Sequence, residues 1–277
     1  MEVAFTSQGP ITMPIITLTT DMGIKDHYVA AVKGAILTQY PEAIIVDISH
    51  HVAAFDITQA AFVLRNAFGE FPRGTIHIIG VNPEADGRTP HVVVRHDGHY
   101  FVGADNGIFS LLFEGKPHEV FELTMKLDAD HLAFPVKNVL CKAACHIARG
   151  GTPEVIGRRT TELRELIGFR PTVDDRSIRG TVLYVDGYGN VVTNITKALF
   201  EEQRKRRGFS IKSIKPGVEI TELHNTYSDV SEGKQVAFFG DTGYLEVAVN
   251  KGVDGSGGSA SRLFGLKVRD SVRVEFQ

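Results

Sequence analysis

Apolar and polar positions divide the chain into two regions with different rhythms. In the first, short apolar runs alternate with segments of helical period. "PIITLTTD" (residues 14–21) reads as a buried strand. "HYVAAVKGAILTQYP" places Val29, Val32, Ile36 and Tyr40 at helical spacing and stops at Pro41. "AIIVDIS" is the next strand. Asp56, with Gln59 three residues later, has the spacing of a capping box that opens the helix "ITQAAFVLRNAF". "TIHIIGV" is a third strand. This β-α-β-α-β order predicts a mostly parallel sheet with helices on both faces. "HVVVRHDGHYFVGAD" reads as a hairpin about Asp97-Gly98, "NGIFSLLF" as a short helix and "EVFEL" as a strand. Phe134-Pro135 then opens a helix that runs through Ala148 to the stop at Gly150-Gly151.

After about Pro171 the period shortens. "RGTVLYVDGYGNVVTNIT" is two strands about a turn, "QVAFFGDTGYLEVAVN" a second hairpin and "LKVRDSVRVEF" a last strand. "KALFEEQRKRR" is the one helical exception, and its basic run reads as a solvated helix face. "GVDGSGGSAS" reads as a flexible loop. The change of rhythm predicts an α/β domain over residues 14–172 and a smaller, strand-built domain over 178–277.

Composition narrows the function without choosing it. The 277 residues are 43% hydrophobic and 23% charged, with a net charge of -3. That is ordinary for a soluble globular chain and gives no basic field for nucleic acid. No apolar stretch reaches the roughly 20 residues of a membrane helix, and the N-terminus lacks the pattern of a secretory signal. Cys141 and Cys145, four apart in a helical pattern, read as packing residues and not as a zinc site. A cytoplasmic protein without metal is expected. Walker loops, a strand followed by G-x-G-x-x-G, nucleophile elbows and metal-ligand histidine spacings are all missing. The eleven histidines, His146 among them, read as structural or surface residues.

Polar residues collect instead at strand ends: Asp21, Asp26, Asn82 and Asp105-Asn106-Gly107. Each alone is consistent with a helix cap, but together they fit a ligand crevice at the carboxyl ends of parallel strands.

"TTDMGIKDHYVAAVKGAI" resembles the opening T-D-x-G-x-x-D-x-Y-V-x-x-x-K-G of the S-adenosylmethionine (SAM) hydroxide adenosyltransferases, relatives of the fluorinases and chlorinases. The matches are Asp21, Gly23, Asp26, Tyr28, Val29, Lys33 and Gly34. "ADNGIFS" resembles a second segment of that family. "YVDGYGNVVTNI" resembles a third, at Asp186, Gly189, Asn190, Thr193 and Asn194, and "GYLEVAVNKG" a fourth, at Asn250. The four occur in the expected order from about residue 15 onward.

The resemblance implies a C-terminal antiparallel β-barrel and a homotrimer with ligand sites between subunits. It implies SAM as substrate, with no cofactor, and displacement at the ribose 5′ carbon. It assigns Asp21 to the ribose hydroxyls, with Asp26 and Tyr28 in the same substrate-binding motif. Phe55 falls beside the ribose and sulfonium, Asp186 at the methionine ammonium and Tyr188 near adenine. Asn190 reads the adenine edge, helped by backbone near Asn250. Asp241-Thr242 fall at the turn that meets the methionine carboxylate; an aspartate repels it, so Thr242 or backbone amides take that part.

Hydroxide-transferring members position water with an Asp-Arg-His set. "GVNPEADGR" (80–88) matches the segment that carries the Asp and Arg, so Asn82 stands for the Asp and Arg88 keeps the Arg. Pro135 stands where the His is usual, with His131 four residues earlier as a substitute. The resemblance therefore implies a SAM hydrolase with an altered water site. The alternatives are a non-catalytic SAM or adenosine binder and a 5′-halogenase-type transferase; the fluorinase's N-domain insertion is absent.

Overall fold

The computed structural model describes residues 14–86, 88–113, 115, 117, 119–125, 133–212, 219–255 and 258–277. The chain divides into two compact units, Met1–Ile167 and Gly168–Gln277.

The first unit runs β1 (Ile15–Thr20), α1 (Tyr28–Gln39), β2 (Ile44–Ser49), α2 (Ile57–Phe68), β3 (Ile76–Gly80), β4 (His91–His96), β5 (His99–Ala104), α3 (Ile108–Leu112) and β6 (Glu119–Leu123). A π-helical turn, Val136–Leu140, leads into α4 (Cys141–Ala148), followed by α5 (Pro153–Ile156) and β7 (Gly157–Thr160). Among the described residues these strands form a seven-stranded sheet in the order β2-β1-β3-β5-β4-β6-β7. Strands β2, β1, β3 and β5 are parallel, and the other three continue antiparallel.

The alternation of side chains along each strand builds a core on both faces. Val93 and Val102 pack with Val32 and Ile36 of α1 and with Leu140, Cys141 and Cys145. Their neighbours Val92, Val94 and Phe101 pack on the other face with Ala60, Ala61 and Leu64 of α2 and with Phe109 of α3. Both cysteines are buried and free.

Two local expectations are altered. Asp56 caps α2 by accepting from the amides of Thr58 and Gln59, but the Gln59 side chain takes the amide of Ala53 and so completes no capping box. The helix after Phe134-Pro135 opens as a π turn before it becomes α-helical.

The second unit runs β8 (Thr172–Asp174), β9 (Ser177–Val185), β10 (Val191–Thr196), α6 (Lys197–Arg204), β11 (Phe209–Lys212), β12 (Glu219–Ile220), β13 (Gln235–Phe239), β14 (Tyr244–Val249), α7 (Ala260–Phe264) and β15 (Ser271–Phe276). Its antiparallel sheet follows the order β12-β11-β15-β9-β10-β14-β13, with β8 paired to β9. Gln235 Nε2 donates to the Glu219 carbonyl at 2.9 Å, which ties the two end strands and nearly closes a barrel. The core holds Ile178, Val182, Ile195, Phe200, Val247, Phe264 and Val274.

The basic run "RKRR" is not one solvated helix face. α6 ends at Arg204, and Lys205 and Arg206 turn through positive φ. Arg204 and Arg207 then lie over the rings of Phe209 and Phe276 at 5.0 and 5.1 Å. Guanidinium groups stack on aromatic faces while their N–H groups keep polar partners, here backbone carbonyls.

Candidate active site

The carboxyl ends of β1, β3 and β5 carry the polar residues of the first unit. Thr20 and Gly80 are partners in the parallel β1–β3 ladder, so Asp21 and Val81-Asn82 leave adjacent strands at the same level. A side chain could not be accommodated at Gly80. Its Cβ would stand 2.9 Å from Val136 Cγ2 and 3.1 Å from Thr20 Cγ2. That close approach brings the π turn, and with it the buried Pro135, over the end of β3.

Asp21 is half-buried, and its Oδ2 accepts the amide of Phe55 at 2.8 Å. Phe55 has φ +64 and its ring is 67% exposed. A bulky residue held in left-handed backbone with its ring in solvent gains nothing from the core. Such strain persists where surrounding contacts enforce it. Asp26 and Tyr28 are exposed at the start of α1, with the Tyr28 ring edge-on to Phe134 at 5.7 Å.

Asn82 also has positive φ, +46, which asparagine tolerates. The side chain of Asn106 donates to the carbonyls of Val81 and Asn82 at 3.2 and 2.9 Å and accepts the amide of Ile108. Asn106 thus ties the start of α3 to the end of β3. Asp105 accepts the Arg164 amide at 3.0 Å on each oxygen. Burial raises its pKa against that stabilising donor.

The loop after Asn82 is held by a residue that the sequence pattern does not single out. Buried His91 stands with Nε2 2.7 Å from the Pro83 carbonyl. Only a protonated Nε2 can donate there, which fixes the tautomer. Burial lowers the pKa of His91, opposed by the same hydrogen bond. Arg88 is exposed, with its amide on Asp86 Oδ1 at 2.7 Å. His131 lies outside the described residues.

In the second unit, the turn between β9 and β10 is bonded to itself. Asp186 Oδ1 accepts the amides of Tyr188 and Asn190, and its Oδ2 accepts Asn190 Nδ2 at 2.9 Å. Gly189 crosses the turn at φ +81, where a Cβ would meet Ser259 at 2.5 Å, so only glycine fits. A cleft of about 400 Å³ opens beside the turn, lined by Asp186, Tyr188, Asn190, Tyr227, Asn250 and Lys251 among others.

Four of the expected residues therefore share one cleft. Asn250 contributes shape more than donors: its amide, carbonyl and Nδ2 bond to Lys234, Gly233 and Val230. Asp241 and Thr242 sit in the turn between β13 and β14 and are not among the lining residues.

Tyr227 and Glu246 were not anticipated. The Tyr227 hydroxyl donates to Glu246 Oε1 at 2.6 Å, and its ring meets Phe238 edge-on at 4.7 Å. Burial raises the pKa of Glu246. The charges of Asp186 and Asp241 push the same way, and the Tyr227 hydrogen bond opposes them. Burial and that hydrogen bond push Tyr227 upward too. Glu246 had a signal in the sequence, a carboxylate inside the apolar run "YLEVAV"; Tyr227 had none.

A larger cavity of about 600 Å³ lies between α3 and the β6–β7 edge. It contains none of the expected residues. Among the described residues no three His, Cys, Asp or Glu side chains converge as a metal ion requires.

Comparison with known sequences finds two family models along the chain. The SAM hydroxide adenosyltransferase N-terminal domain model matches residues 16–157, and the C-terminal domain model matches 180–273.

The chain belongs to the SAM hydroxide adenosyltransferase family.

Among its relatives in this family, the (R)-S-adenosyl-L-methionine hydrolase of Thermus thermophilus is 30% identical over 92% of this chain and 97% of its own. That of Methanocaldococcus jannaschii is 31% identical over 67% of this chain and 68% of its own. A Nocardia brasiliensis fluorinase is 27% identical over 95% of this chain and 97% of its own. The crystal structure of a conserved protein from Thermotoga maritima superposes with a TM-score of 0.81 at 27% identity. It covers 94% of this chain and 99% of that one. The crystal structure of a conserved hypothetical protein from Thermus thermophilus gives 0.70 at 29% identity, covering 96% and 100%. The family and these named relatives are SAM-using adenosyl-transfer enzymes. Among the described residues no helix is long and apolar enough to cross a membrane.

Proposed function

We propose that this chain cleaves SAM at the ribose 5′ carbon with water as nucleophile, releasing adenosine and methionine. The observation that carries this reading is the level pairing of Asp21 and Asn82 at the ends of adjacent strands, in a chain matched by both domains of the family.

The C–O bond forms opposite the C–S bond, whose electron pair leaves with sulfur, and the water proton passes to solvent. A sulfonium leaves readily without an acid, so the protein's task is alignment and exclusion of bulk water. Asp21 accepts the ribose hydroxyls, and the Phe55 ring flanks the ribose and the sulfonium cation. Asp26 and Tyr28 belong to the same half of the site. Asp186 takes the ammonium and Tyr188 flanks the adenine. Asn190, whose Nδ2 is committed to Asp186, offers its Oδ1 to the adenine amino group. Thr242 or neighbouring amides take the carboxylate.

Each complete site joins the first unit of one copy to the second unit of another in a homotrimer. Light scattering giving a monomer mass at micromolar concentration would sink that assembly.

Asn82 orients water through one neutral carbonyl and cannot act as a base, while Arg88 supplies charge. Pro135 brings no polar group where the family carries a histidine. Turnover is therefore slow relative to a full Asp-Arg-His site, and these two residues favour non-catalytic SAM binding as the second reading. Incubation of the purified protein with SAM, with and without fluoride or chloride, decides among the readings. Adenosine and methionine support hydrolysis, 5′-halo-adenosine a halogenase, and unchanged bound SAM the binding protein.

A further inference from the structure

Behind Asp21 a chain of polar side chains runs from the fold's interior to its surface. Thr20, 1% exposed, stands with Oγ1 2.7 Å from His50 Nδ1. His50 is 4% exposed, and its Nε2 lies 3.0 Å from Asp47 Oδ1. The ring N–H is off the line of a good hydrogen bond, so this contact is electrostatic. Asp47 Oδ2 takes the Lys33 ammonium at 2.6 Å. Burial tends to raise the Asp47 pKa, but the Lys33 ammonium and the neighbouring His50 ring outweigh it and hold the carboxylate ionised.

A carboxylate beside Nε2 favours the tautomer with its proton there. Nδ1 is then an acceptor, and the Thr20 hydroxyl must donate to it. The remaining lone pairs of Thr20 Oγ1 face the Met22 amide at 3.4 Å. The His50 carbonyl accepts the Gly23 amide at 2.7 Å. His50 therefore holds the turn Asp21-Met22-Gly23 from both ends, by its ring through Thr20 and by its own backbone carbonyl.

As glue this is a poor arrangement. Half-exposed ion pairs such as Lys33–Asp47 contribute little stability, and a buried imidazole carries a desolvation penalty. What the chain does secure is direction: the rotamer of Thr20 and the path of the residue after it.

We propose that His50, oriented by Asp47 and Lys33, is a positioning residue that aims the Asp21 carboxylate at the ribose hydroxyls of the adenosyl ligand. This rests on the reading of Asp21 as the ribose acceptor. It adds three residues that no part of the displacement otherwise uses.

Calorimetric affinities of the full-length protein for adenosine and 2′-deoxyadenosine test it, because their ratio reports ribose-hydroxyl recognition and not general folding. Wild type is expected to prefer adenosine, and Asp21→Ala to reduce that preference about tenfold or more. Asp47→Asn, isosteric at a half-exposed position, and His50→Ala are expected to reduce it about three- to tenfold. Lys33→Met supplies a third variant if His50→Ala does not fold. If Asp21→Ala removes the preference but the folded relay variants keep it, the positioning role is overturned and the ribose reading stands. If wild type shows no preference, or Asp21→Ala retains it, the ribose reading falls and takes the proposal with it.

Discussion

The two units hold their candidate residues by opposite means. In the second, the turn from Asp186 to Asn190 is closed by bonds between residues at most four apart. In the first, the anchors come from far along the chain: Phe55 to Asp21, Asn106 to Val81 and Asn82, Thr20 to His50. A self-bonded turn is preorganised once its strands pair. A strand end tied to distant loops is only as well placed as the sheet and the loops together. Recognition by the second unit is therefore expected to be robust, and alignment in the first to be sensitive to changes away from the ligand.

The largest expected effect tests whether the first unit carries the chemistry. Asn82→Asp with Pro135→His restores two of the polar groups of the family's water site. It is expected to raise single-turnover adenosine release by about 10² or more, the lower end of what a general base supplies. If the double variant folds and binds SAM but is no faster, this loop does not align the nucleophile.

A second contrast separates the halves kinetically. Asn106→Ala removes the clamp on β3, leaves the buried Val81 carbonyl and the half-buried Asn82 carbonyl short of a donor and should lower kcat by about tenfold. Asn190→Ala, within the self-bonded turn, should raise KM by a similar factor with kcat nearly unchanged. Steady-state kinetics in which both variants move the same parameter would erase the division of labour.

Acid should find the first unit before the second. His77 is fully buried between Thr17 and His99, at 2.7 and 3.2 Å, and stacked on Phe101. Burial, and secondarily the charge of His99, lower its pKa from 6.5 to about 3. His99 is lowered as well, chiefly by burial. Between those values the unfolded chain takes up the proton and the folded one does not. Stability is therefore complete above about pH 6.5 and declines as pH falls toward 3, by up to about 1.4 kcal/mol per pH unit for His77. Melting temperatures from pH 7 to 4 should fall more steeply for wild type than for His77→Phe; equal slopes would remove His77 as the cause.

The smallest expected effect is at His91. Replacing it with Ala frees the Pro83 carbonyl and should lower stability by about 1–2 kcal/mol, with a several-fold loss of rate but unchanged adenosine affinity. Weaker adenosine binding would mean that the loop also shapes the nucleoside pocket.

The sequence by itself was enough for what local rules and repetition control. The 3.6-residue period after β1 and after β2, with buried strands between, leaves few arrangements other than a parallel sheet covered on both faces. The strand-turn-strand rhythm beyond Pro171 likewise implies antiparallel pairing. Asp186-Gly-Tyr-Gly-Asn190 is legible because an Asx-bonded turn with glycine at positive φ is a local object. What the pattern could not reveal is which distant residues meet. Tyr227 reaches Glu246, His91 reaches Pro83, and His50 links Thr20 to Asp47, through contacts that exist only after sheet register and loop closure bring them together. A buried polar group takes whichever partner the fold delivers, because leaving it unpaired costs more than any local preference. Those partners, and the strained backbone of Phe55 and Asn82, were decided by tertiary structure.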